Sequence, residues 1–128
     1  IIKMKKIPKN VSEAWDLRKD AIVFSTVDLN GVPNSIYATC VSKYNDSIIV
    51  VADNYFNKTR ENIFCGSKAS ILFITDEGVS YQLKGTIKYY KSGEIYDNMK
   101  KWNPGNLPGN AAAALEIDEV YSGSVKLL

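Results

Sequence analysis

Apolar positions along the 128-residue chain fall in short blocks separated by clusters of Asn, Asp, Gly and Pro. One block, Ile48-Ile49-Val50-Val51-Ala52, is continuous and mostly β-branched, as expected of a strand covered on both faces. Residues 21–27, rich in Ile, Val, Phe and Thr, form the first strand, and Asp28-Leu29-Asn30-Gly31 is a strong turn signal. Pro33 opens a second strand, where its missing N–H does least harm, running through Ile36 to Val41. Tyr44-Asn45-Asp46-Ser47 then turns the chain into the central strand. Residues 69–75 and 79–90 are two further strands about the turn Asp76-Glu77-Gly78. Gly85 inside the longer one predicts a bulge or a close backbone approach. Residues 112–121 supply a sixth strand, with Leu115, Ile117 and Glu119 assigned to one face.

Three segments carry helical patterns. Over residues 8–20, Asn10 and Glu13 resemble a capping box, and Val11, Ala14 and Trp15 make one apolar stripe with Trp15 in the core. A short helix starts at Lys58 with Asn57 as N-cap and stops at Gly66. A third covers 93–102, capped by Ser92, with Ile95, Met99 and Trp102 on its apolar face. The stretch 103–110, Asn-Pro-Gly-Asn-Leu-Pro-Gly-Asn, is a loop of functional length. Six strands with turns every ten or so residues favour a mainly β fold, a closed antiparallel barrel, over a βαβ sheet. The length predicts a single domain over 1–128. A Rossmann fold is excluded for want of a Gly-rich strand–helix turn.

Composition narrows the chemistry. The net charge of +2 lacks the basic excess of a dedicated nucleic-acid binder, and Lys3, Lys5, Lys6 and Lys9 read as a solvated arm. No histidine is present, which removes Ser-His-Asp and Cys-His catalysis and His-ligated metals. Cys40 and Cys65 make no metal pattern and are expected as free buried thiols in a reducing cytoplasm; no metal site and no catalytic side chain is assigned. No apolar run approaches the roughly 20 residues of a membrane span, and no signal peptide is visible, so a cytoplasmic protein is expected. Lys58-Thr59 enters a helix just after a buried strand, where N–H groups gather. The pair reads either as a phosphate grip or as an ordinary exposed Lys beside a helical Thr.

The ordered motifs resemble the FMN-binding split β-barrel family related to pyridoxamine 5′-phosphate oxidase. They are Asn30-Gly31-Val32-Pro33, the strand Ser35 to Val41, Ile48 to Asp53, and Lys58-Thr59-Arg60-Glu61-Asn62-Ile63. Tyr81 to Gly85, Leu115-Glu116-Ile117 and Val120-Tyr121 complete the set. The resemblance implies a six-stranded antiparallel Greek-key split β-barrel with two or three short helices, and FMN at the seam of a homodimer. It implies that Lys58 and Thr59 hold the FMN phosphate, and that Val51, Ala52 and Asp53 present backbone to the ring edge. Tyr37, Ala38 and Thr39 would contact ring and ribityl chain, and Gln82 would reach the cofactor from across the barrel. The loop 103–110, with Met99, Trp102 and Leu107, is the candidate to cover the seam. Arg18 and Arg60 are the only arginines, a departure that argues against the vitamin B6 oxidase activity itself. The function implied is an FMN-dependent oxidoreductase; the alternatives are an FMN electron carrier without its own substrate, and a non-flavin barrel gripping nucleic acid through Tyr89 and Tyr90 beside Lys88 and Lys91.

Overall fold

The computed structural model describes residues 4–128; Lys3 of the basic arm lies outside them. In chain order the elements are α1 (Lys9–Asp16), β1 (Ile22–Val27), β2 (Pro33–Ala38), β3 (Val41–Asn45), β4 (Ile48–Asp53) and α2 (Lys58–Phe64). They continue with β5 (Lys68–Ile74), β6 (Ser80–Tyr90), α3 (Glu94–Trp102), β7 (Ala111–Ser122) and β8 (Val125–Lys126). Seven strands form one curled antiparallel sheet in the order β2-β1-β5-β6-β7-β4-β3, and β8 pairs with β7.

The expected count of six strands is therefore wrong, chiefly because the strand expected to run unbroken from Pro33 to Val41 is two. Its first part pairs with β1 and its second with β4, at opposite ends of the sheet. The chain crosses between those ends at Thr39 and Cys40, where the Val41 N–H donates to the Thr39 carbonyl at 3.1 Å. This corner carries no Gly or Pro, so nothing in the residue pattern marks it. It leaves the sheet curled into a half-barrel whose two edges are tied covalently.

The central strand behaves as its continuous apolar run requires. Every residue of β4 is buried, and its two faces serve two cores. Ile49 and Val51 join Ile22, Phe24, Ile71, Phe73, Leu83 and Leu115 inside the curl. Ile48, Val50 and Ala52 join Ala112, Ala114 and Met99 on the outside, under α3. Alanines on β7 let that helix lie close to the sheet. Met99 is thus buried in this outer core, and Trp102 packs partly buried against it.

Gly85 sits at a register shift between β6 and β7. Lys84 pairs with Glu119 and Gly85 with Ile117, leaving Asp118 unpaired. The bulge resets the alternation, so Val120 rather than Glu119 follows Ile117 into the core. Trp15 is buried against Phe73 at 5.2 Å, edge to face. The capping expectations fare less well. Pro8 precedes the first turn of α1 with no side-chain cap, Asn57 stands at the N-cap of α2 without using its side chain, and Gly93 rather than Ser92 precedes α3. At the other end of α2, Gly66 (φ +83°) completes a Schellman stop, with Ser67 N–H on Asn62 O and Gly66 N–H on Ile63 O, both at 3.0 Å. Cys65 is exposed, contrary to expectation, and Cys40 is half-buried; both are free.

Candidate functional site

Beside the corner lies a cleft of about 330 Å³. One wall is Ile36 to Cys40; the second is Ala52, Asn54, Tyr55 and Phe56; Leu107 alone comes from the loop 103–110. No lining residue carries a charge. Tyr37 and Tyr55 stand at 80% and 76% exposure, so two aromatic rings are open to solvent at its rim. The structure thus gathers Tyr37, Ala38, Thr39 and Ala52 of the residues named from the sequence. It adds Cys40, Asn54, Tyr55, Phe56 and Leu107, which no local pattern singled out.

Val51 and Asp53 do not line the cleft. Val51 packs into the inner core. The Asp53 side chain is wholly buried and holds the site together from behind. Arg60 grips it bidentately, Nε to Oδ2 and Nη2 to Oδ1, each at 2.8 Å. Oδ1 also accepts the Phe56 N–H at 3.0 Å, and Oδ2 accepts the Tyr89 hydroxyl. One carboxylate therefore ties β4, the loop carrying Tyr55 and Phe56, α2 and β6. The Ala52 amide is committed as well, donating to Cys40 O at 2.9 Å, so it is not free to face a ligand.

The same network removes the nucleic-acid alternative built on Tyr89 and Tyr90. Adjacent strand residues face opposite ways. Tyr89 binds Asp53 and meets Phe64 edge-on at 5.1 Å, while Tyr90 packs on the outer core beneath α3. They form no common stacking face.

Burial, and then the bond to Asp53, pushes the Tyr89 phenol above its ordinary value of about 10. The folded chain holds this proton more tightly than the unfolded chain does. Its contribution to stability is complete below about pH 10 and is lost as pH rises through the folded value. Tyr89→Phe should flatten the alkaline fall in a melting-temperature profile. An unchanged alkaline limb would assign that fall to other groups.

Lys58 and Thr59 open α2, next to the cleft's Phe56. Lys58 is half-exposed and pairs only loosely, with Asp28 at 3.8 Å and Glu61 at 4.0 Å. Asp28 is itself held ionised: N–H bonds from Val32 and Asn30 lower its pKa, with Lys58 adding to them. Thr59 is buried at 2% exposure, where its Oγ1 accepts from Asn34 Nδ2 at 3.0 Å and its own proton remains to donate. Strand β2 thereby links both features. It touches Thr59 at Asn34 and reaches the cleft by Ile36 to Ala38, a span of about 13 Å over four residues. Gln82 is not brought to this cleft; it stands opposite Leu72 and Tyr121 on β6, in a separate groove with Ser25, Ser70 and Lys84. Among the described residues no helix is long and apolar enough to cross a membrane.

The chain is 32% identical over 111 residues to an uncharacterised protein of Methanocaldococcus jannaschii, covering 83% of this chain and 74% of that one. Among solved structures, HupZ of Group A Streptococcus matches with a TM-score of 0.78 at 24% identity, over 91% of this chain and 93% of HupZ. An FMN-binding protein of Syntrophomonas wolfei matches with a TM-score of 0.75 at 21% identity, over 88% of this chain and 83% of its own. At such identities the two structures establish a shared fold. The family model for pyridoxamine 5′-phosphate oxidase matches residues 8–122, and the chain accordingly belongs to that family.

Proposed function

We propose that this protein is an FMN-dependent oxidoreductase that works as a homodimer with the flavin at its seam. The observation that carries the reading is the uncharged, aromatic-rimmed cleft at the corner, joined by one strand to Thr59 beside a half-exposed lysine at the start of α2. The residues present suit the cofactor. A flat ring system fits walls made of Tyr37, Tyr55, Phe56 and Leu107. A phosphate suits Lys58, whose present partners lie at ion-pair distance rather than in tight hydrogen bonds, and the Thr59 hydroxyl beside it. FMN supplies hydride or electron transfer when bound. The chain's own work is to hold the phosphate at Lys58, to orient the ring against the strand ends, and to keep water from one of its faces. No histidine is needed for that.

The outer sheet face supports the dimer. Cross-strand pairing aligns Tyr37, Val23, Leu72 and Gln82 in one outward row over β2, β1, β5 and β6. Tyr37 and Leu72 are exposed there. An isologous partner laid on this row would cover it, and would bring its own Gln82 into the seam.

Titration of the purified chain with FMN and with riboflavin tests the reading. FMN should bind about tenfold more tightly, the low end for a charge-assisted bond to a half-exposed lysine. Lys58→Ala should abolish that preference while moving fold stability by no more than about 0.5 kcal/mol. Light scattering of the loaded protein should give a dimer. A chain that binds no FMN, or whose FMN affinity ignores Lys58, overturns the proposal.

A further inference from the structure

The loop 103–110 contains no helix or strand, yet its backbone is pinned along its length. Asn103 and Asn54 exchange side-chain hydrogen bonds, Nδ2 to Oδ1 at 2.9 Å one way and 3.1 Å the other, and both amides are buried. The same Asn54 Oδ1 accepts the Gly109 N–H at 2.9 Å, and the Asn54 carbonyl accepts Asn110 Nδ2 at 3.2 Å. The Asn110 N–H donates to Asp53 O at 2.9 Å, and Lys100 Nζ donates to Pro108 O at 3.1 Å. Between these fixings a turn, Leu107 N–H to Pro104 O at 3.0 Å, presents Leu107 to the cleft.

We infer that the Asn54–Asn103 pair is a positioning latch that holds Leu107 as the third wall of the cleft, and that Leu107 selects for flat ring ligands there. Two facts separate this from simple loop stabilisation. Every other lining residue comes from 36–40 or 52–56, segments that belong to β2 and β4 or are tied to them by the Ala52 N–H on Cys40 O and the Phe56 N–H on Asp53, so only Leu107 depends on the loop 103–110 for its place. Asn54 is also a lining residue, so the latch and the cleft share one residue. A buried apolar contact could have stabilised the loop as well. The reciprocal amides add a fixed direction, because each must meet the other's donor and acceptor in register. The selector role rests on the flavin reading above; the latch does not.

The test uses lumiflavin, the ring without ribityl phosphate, beside FMN, and amide hydrogen exchange without ligand. Leu107→Ala, on a loop outside the core, should weaken both ligands about tenfold, as expected for removal of a partly buried leucine contact. Lys58→Ala should weaken FMN alone. Asn103→Ala should raise exchange at Gly109, and should weaken lumiflavin as much as Leu107→Ala does. In the double variant the two losses should not add, because the wall is already displaced. Additive losses, or unchanged ring affinity in a less stable Asn103→Ala protein, would reduce the pair to a stability element and overturn the inference. Leu107→Ala decides the wall even where Asn103→Ala does not fold. If the unaltered chain binds neither ligand, the flavin reading and the selector role both fall, while exchange at Gly109 still decides the latch.

Discussion

Replacing Arg60 by Ala should cost the fold about 3 kcal/mol, far more than a surface arginine is worth. The reason is what remains behind. Asp53 is wholly buried at the end of β4 and receives two bonds from the guanidinium, so its charge would lose its main partner. Breaking such a pair costs about 3–5 kcal/mol, and the low end applies because a third of the Arg60 side chain is exposed and water can enter. Asn at position 53 should recover part of the loss in the Arg60→Ala background. A neutral amide can still accept the Phe56 N–H and donate to the Tyr89 hydroxyl. Urea unfolding of the two single variants and the double variant measures this. A loss under about 1 kcal/mol would place the pair with ordinary surface ion pairs. On the proposed flavin reading FMN affinity should fall as well, because the carboxylate also holds the helix that carries Lys58 and the loop that carries Tyr55 and Phe56.

That network shows where legibility ends. The apolar run at 48–52 announced a doubly covered strand, and β4 is one, because burial on both faces imposes a pattern that needs no knowledge of neighbours. The start of α2 at Lys58 and the bulge at Gly85 were visible because each is also marked by residues next to it in the chain. Asp53 and Arg60, seven positions apart across a loop, meet only once the strand and helix are in place. Tyr89 comes to them from 29 residues beyond Arg60. The corner at Thr39 and Cys40 was equally hidden. A strand that changes sheet edge keeps its alternation and composition, and only the pairing partners change. The cleft's third wall depends on amide pairing over 49 residues, which Asn in a loop cannot foretell. Side-chain capping failed differently at each helix: Asn10 lies inside α1, Asn57 stands at the N-cap of α2 without a side-chain bond, and Gly93 takes the position expected of Ser92.

Gly85→Ala should be among the most damaging single-methyl additions, lowering stability by about 3 kcal/mol and the melting temperature by about 10 °C. The glycine is not needed for a left-handed turn. It is needed because β7 passes too close. A Cβ at position 85 would sit 1.9 Å from the Glu116 carbonyl oxygen, 2.8 Å from its carbon and 3.2 Å from the Ile117 Cα. All three atoms are backbone, so no rotamer change relieves the clash, and the strands must part. They would part at the bulge on the sheet's longest ladder, where the register shift seats Val120 in the core. Slipping the bulge by one residue would exchange the faces of everything beyond it, taking Val120 out of the core. Opening the ladder locally instead strips hydrogen bonds from two strands in the middle of the sheet. Gly105→Ala is the control, since nothing lies within 4 Å of its added methyl; its stability should stay within about 0.5 kcal/mol of the unaltered chain. Chemical denaturation of both variants checks the contrast. A Gly85→Ala protein as stable as the control would mean that β6 and β7 separate at little cost, and that the bulge does not hold the register of the half-barrel.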